Sequence, residues 1–171
     1  MKIEDYALIG DCHTAALVAR DGSIDWLCWP RFDSPACFAA LLGTPEHGRW
    51  KIAPAAPDCR ARRRYVDDTL ILETEFETPD GCVALIDFMP TRDTHCNLVR
   101  IVEGRSGRVA MDMQFVLRFD YGAAVPWVTR LLDGHGICAV AGPDMAVLRS
   151  PVPLQGKDLT TVARFEVAEG M

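Results

Sequence analysis

Along most of this chain hydrophobic and polar residues alternate with a period of two, the pattern of half-buried β-strands. The clearest run is 108–118, where Val109, Met111, Met113, Phe115 and Leu117 share one face and Arg108, Asp112, Gln114 and Arg118 the other. In 69–77, Leu70, Leu72, Thr74 and Phe76 oppose Ile71, Glu73, Glu75 and Glu77, which places the glutamates on a solvated outer face. Pro79-Asp80-Gly81 turns this strand into the apolar run 82–88, a hairpin. Nearer the N-terminus, Asp21-Gly22 is a turn dipeptide with glycine free to take positive φ. It joins strand 14–19 to strand 23–29, which Pro30 ends because it has no N–H for a ladder. Ser34-Pro35 reads as an N-cap with proline at the first helical position, predicting one short helix over 36–42 with Gly43 as its C-terminal cap.

Further short strands are predicted at 7–9, 49–52, 60–66, 98–103, 127–132, 137–141, 146–149 and 159–167, with a turn at Arg105-Ser106-Gly107. Strands at this spacing, punctuated by Gly and Pro, predict an all-β fold: an antiparallel β-sandwich with one short helix near residues 35–42. No repeat or composition shift divides the chain, so residues 1–171 read as one domain.

Composition narrows the function classes. A net charge of −6 argues against a nucleic-acid partner. No apolar run approaches the roughly 20 residues of a membrane helix. The start, MKIEDYALIG, lacks the apolar core of a secretory signal, and seven cysteines without a C-x-x-C pair read as reduced thiols. The expected location is the cytoplasm.

Candidate chemistry is sparse. Cys12-His13, His47, His95-Cys96 and His135 lack the paired spacing of a zinc site, so no metal and no cofactor is expected. There is no phosphate-binding glycine motif and no serine in a nucleophile elbow. The run Arg60 to Arg64 precedes Asp67 and Asp68 and reads as a solvated, paired face. Asp25, Asp33, Asp87 and Asp120 each lie near aromatic residues, although spacing alone brings no two of them around a substrate. Two polar-aromatic corners suit a sugar ring, which has apolar faces and a hydroxyl rim: Trp29, Arg31 and Asp33 at the first, Asp120, Tyr121 and Trp127 at the second. The bland alternative is that the aromatics are core and that Arg31 pairs with Asp33.

At these residues the chain resembles a known family. DGSIDWLCWPRFDSPACFAALLG at 21–43 is similar to the N-terminal signature of bacterial glycoside hydrolase family 15 proteins, the glucoamylase-like and trehalase-like group. IEDYALIGDCHTAALVARDG at 3–22, LIDFMP at 85–90, LVRIVEGRSGRV at 98–109, LRFDYGAAVPWV at 117–128 and AVAGPDMAVLRS at 139–150 fit the same pattern. The resemblance implies a large, supersandwich-like antiparallel β-sandwich that precedes a catalytic (α/α)₆ barrel in the same polypeptide. That barrel supplies both catalytic glutamates for inverting hydrolysis of an α-glucosidic bond. The barrel is absent from this sequence, and the sandwich is expected to be truncated at its C-terminal end. The expectation is therefore a non-catalytic domain that supports the barrel and lines the cleft for an α-glucoside. Trp29, Arg31, Asp33, Asp87, Asp120, Tyr121 and Trp127 are the candidates for substrate-cleft or barrel-interface contacts, and self-association of the isolated domain is expected. A free-standing carbohydrate-binding or protein-interaction sandwich is the competing reading.

Overall fold

A computed structural model describes residues 2–171. The chain forms β1 (Tyr6–Gly10), β2 (Ala15–Ala19), β3 (Ser23–Cys28), β4 (Ala36–Phe38), β5 (Arg49–Pro54), β6 (Arg60–Tyr65), β7 (Leu72–Thr78), β8 (Gly81–Phe88) and β9 (Val99–Val116). There follow β10 (Trp127–Arg130), β11 (Gly136–Ala141), β12 (Asp144–Arg149), β13 (Gln155–Lys157) and β14 (Thr160–Ala168). All named strands pair antiparallel.

Strand β9 organises the fold because its two halves belong to different layers. Residues 111–116 pair with β5 and residues 108–115 with β14, whereas residues 99–107 pair with β8. One layer therefore runs β1-β2-β3-β5-β9-β14-β13, with β4 added to β3, and the other runs β9-β8-β7-β6. Between them lies one core that includes Ile9, Val18, Ile24, Phe38, Leu72, Phe76, Leu85 and Met111, each at most 2% exposed. Burying a side chain of this size stabilises by about 1.5–3 kcal/mol. Phe115 centres the aromatic part, edge-on to Phe38 at 5.8 Å and to Trp50 at 5.5 Å. A separate meander, β10-β11-β12, leans on the same core through Ile137, Ala139 and Leu148.

The all-β antiparallel architecture follows the expectation, and two local readings are corrected. Residues 36–42 are not a helix. Ala36–Phe38 is a strand paired with β3 (Cys28 opposite Ala36, Leu27 opposite Phe38), and only Ala40–Leu42 makes a single 3₁₀ turn. Ala36, Cys37 and Phe38 are all buried, so this segment has no solvent face for an amphipathic helix, and pairing with β3 satisfies its backbone instead. The Ser34 hydroxyl accepts the Arg31 N–H at 3.2 Å rather than capping a helix. Nor do residues 105–107 end a strand. The chain runs on through them, with Gly107 at φ 66° and a register shift opposite Cys82–Val83 where β9 crosses between layers.

Gly22 holds the β2–β3 turn against β5. Its φ is +80°, and a Cβ there would lie 2.1 Å from the Ile52 carbonyl oxygen. Its own carbonyl accepts the Ile52 N–H at 3.1 Å. Among the described residues no helix is long and apolar enough to cross a membrane.

Candidate functional site

The loops at one end of β3 build the best-formed polar surface among the predicted candidates. At the tip between β1 and β2, the Asp11 carboxylate accepts the N–H groups of His13 and Thr14 at 3.0 and 2.9 Å. Its other oxygen takes the Arg92 Nε donor at 2.9 Å, tying the loop after β8 to this tip. Thr14 donates its hydroxyl to the Cys28 carbonyl at 2.6 Å, and the Phe32 N–H donates to the His13 carbonyl at 3.0 Å. The β3–β4 corner is thereby fastened to the hairpin tip. Cys12, His13, Arg31, Phe32 and Asp33 line a hollow of about 250 Å³ between them.

Arg31 and Asp33 meet at 2.9 Å with both side chains largely exposed, and Phe32 is 63% exposed beside them. Hydrogen bonding from Arg31 is the main influence holding the Asp33 carboxyl below its ordinary range. For Asp11, burial works to raise the pKa, but the N–H donors of Thr14 and His13 and the Arg92 guanidinium outweigh it, and the carboxyl titrates lower than usual. Trp29 is half-buried against the core and donates its indole N–H to Cys96 Sγ. This end can offer a flat apolar ring flanked by charged donors and acceptors. Its two pKa-shifted carboxylates are held ionised, which suits binding better than proton donation.

The remaining candidates lie elsewhere. Asp120 and Tyr121 form a tight turn, with φ of 50° and 56°, that packs on β4. The Tyr121 ring sits 6.1 Å from that of Trp26, and His47 crowds Gly122. Neither Asp120 nor Tyr121 lines the hollow at Arg31. Trp127 is 78% exposed on β10. Asp87 is inside the sandwich, fully buried and paired with Arg100 at 2.8 Å, so it reaches neither a cleft nor an interface. Asp25 is also buried, accepting hydroxyls from Ser23 and, at 2.7 Å, from Tyr6. Burial, aided by that bond, pushes the Tyr6 phenol up. Among the described residues no three His, Cys, Asp or Glu side chains gather as a metal ion would require.

Sequence reasoning missed two features. One is the Asp11–Arg92 clamp, whose members are 81 positions apart. The other is a cavity of about 430 Å³ between β10, the β13–β14 hairpin and the end of β9, with Arg118 on its wall. Alternation had placed Arg118 on a polar face, yet it is only 8% exposed.

Comparison with known proteins adds the following. The family model described as "Trehalase-like, N-terminal" matches residues 1–160. A trehalase of Mycolicibacterium smegmatis is 35% identical over 138 residues, covering 70% of this chain and 20% of that protein. A trehalase of Thermoplasma volcanium is 31% identical over 160 residues, covering 90% of this chain and 25% of that protein. Trehalase 2 of Sulfolobus acidocaldarius is 35% identical over 118 residues, or 69% of this chain and 19% of that protein. The chain thus spans a fifth to a quarter of the length of these curated relatives. No solved structure gives a significant match.

Proposed function

The chain belongs to the trehalase-like N-terminal family, and from that premise we propose that it is the non-catalytic sandwich of an α-glucoside hydrolase of the trehalase or glucoamylase type. A catalytic domain of the same polypeptide is its partner, and carbohydrate metabolism in the cytoplasm is its setting. The observation that carries this reading is the match over residues 1–160 to a family described as trehalase-like and N-terminal. The state of the carboxylates supports it. Inverting hydrolysis needs one carboxyl kept protonated as acid and a second, about 6.5–9.5 Å away, as base. Asp11, Asp33 and Asp87 are each committed to an arginine, and Asp25 to two hydroxyls. On this reading both catalytic carboxylates belong to the partner domain.

The Arg31–Phe32–Asp33 corner is the surface proposed to face that domain and to form one wall of the substrate cleft. The outer face of the β10-β11-β12 meander, where Val140 stands opposite both Trp127 and Met145, is apolar and exposed. It is the proposed route of self-association for the isolated chain. The function is tested by measuring glucose release from trehalose, maltose, isomaltose and starch, first with this chain alone and then with the complete open reading frame. The expected result is silence from the chain, activity from the full polypeptide, and reduced activity in its Arg31→Ala variant with the sandwich still folded. Glucose released by the chain alone would overturn the reading.

A further inference from the structure

Among the described residues Arg118 has no ion-pair partner. It is 8% exposed, and its Nη1 donates only to the backbone carbonyls of Leu117 at 2.7 Å and Leu159 at 3.1 Å. Desolvation lowers its pKa, and Glu46 is the one carboxylate that offsets this, without forming an ion pair. A buried guanidinium normally has a charged partner, because the cost of dehydrating it is otherwise uncompensated. Arg118 is among the residues that line the 430 Å³ cavity.

The cavity supplies two more cations. Arg130 donates to the Leu154 carbonyl at 3.2 Å, and Lys157 lies on the hairpin strand opposite; among the described residues neither forms an ion pair. The single carboxylate in the lining is Asp158. Three unpaired cations against one acid, in a chain of net charge −6, make an anion-attracting hollow. The rest of the lining argues for more than a bare ion. The volume is that of a small-molecule site, with Phe115, Leu117 and Ile137 giving an apolar wall. Thr160 and Gln155 offer groups that bond hydroxyls.

We infer that this cavity binds a sugar carrying an oxyanion, a phosphate ester or a carboxylate, with Arg118, Arg130 and Lys157 holding the charge and the apolar wall lying against the ring. The site is separate from the Arg31 corner and does not depend on the trehalase reading.

Titration calorimetry and amide NMR of the 171-residue chain, with glucose 6-phosphate, glucuronate, glucose and inorganic phosphate as probes, test the inference. At least one anionic sugar should bind tenfold or more tighter than both glucose and inorganic phosphate. Its binding should weaken as salt rises and should shift the amides of Thr129, Gly156 and Thr160. Which of the two binds identifies the oxyanion. Arg118→Gln should abolish the binding, and the surface variants Lys157→Gln and Arg130→Gln, which leave the fold intact, should each weaken it severalfold. Equal binding of glucose would overturn the role of charge, and equal binding of inorganic phosphate the role of the sugar. Absence of binding by all four probes, or undiminished affinity in the lysine and arginine variants, would overturn the site.

Discussion

Asp87→Ala isolates the interaction that ties the two layers together. Asp87 on β8 and Arg100 on β9 stand opposite each other in the ladder, and neither side chain is exposed. Arg100 makes a two-pronged pair with the carboxylate, at 2.8 and 3.2 Å. It also reaches into the other layer, donating to the Trp50 carbonyl at 2.5 Å and the Gly22 carbonyl at 2.8 Å, with its guanidinium 5.3 Å from the Trp50 ring. Removing the carboxylate leaves a charge in the core with only carbonyl dipoles around it. Breaking a fully buried pair from one side costs about 3–5 kcal/mol, and a domain of ordinary stability has only about 5–15 kcal/mol in all. With a urea slope near 2 kcal/mol/M, the unfolding midpoint should fall by about 1.5–2.5 M. Fluorescence-monitored urea unfolding of wild type and variant measures this directly. Asp87→Asn, which keeps shape and one acceptor, should fall between them. The double change Asp87→Leu with Arg100→Met should recover only part of the loss, because the Trp50 and Gly22 carbonyls then lose their donor. A midpoint drop below about 0.5 M for Asp87→Ala would refute the claim that this pair clamps the layers.

Other substitutions probe other parts of the fold. Gly22→Ala combines a left-handed φ with a backbone oxygen 2.1 Å from the new Cβ, and should cost roughly 3 kcal/mol or more in the same urea assay. Leu159 is 75% exposed at φ 57°, following Asp158 at φ 49° in the hairpin tip. Leu159→Gly makes the Asp-Gly pair this turn favours and should raise stability by about 0.5–1 kcal/mol, read as a higher Tm. The lowered pKa of Asp11 means that its contribution is complete above the unfolded value near 3.9 and is lost as pH falls through the lower folded value. Wild type should therefore lose stability faster than Asp11→Asn below about pH 4 in acid titrations followed by circular dichroism. Sedimentation velocity at rising concentration should show self-association of the isolated chain, reduced in Met145→Lys, since Met145 is 67% exposed on the apolar meander face.

Most strands were readable because alternation is a local property, and local parity is what a sheet requires. Val109, Met111, Met113, Phe115 and Leu117 are all buried, as their spacing predicts, and Gly22 has the positive φ its turn requires. Parity says which side a residue faces but not what covers that side. Glu73 alternates outward, yet it is 8% exposed because Arg64 and Arg105 close over it at 2.9 and 3.0 Å. Arg118 alternates with the polar residues of β9 and is buried by the hairpin tip, 41 positions away, whose Leu159 carbonyl it holds. Turn signals fail for a related reason. Arg105-Ser106-Gly107 reads as a turn, but β9 needs a bend there to pass from one layer to the other, and glycine permits the bend without ending the strand. At residues 36–38 three consecutive apolar side chains fit a helix locally, and only the partner strand β3 makes them a strand. Of the candidate residues, Arg31 and Asp33 form the pair that the bland alternative expected, legible because the two are two positions apart in sequence. The Arg118 cavity was not, because its three cations come from segments at 118, 130 and 157 that carry no shared motif. Such a site becomes visible only when folding shows which charges have been left without partners.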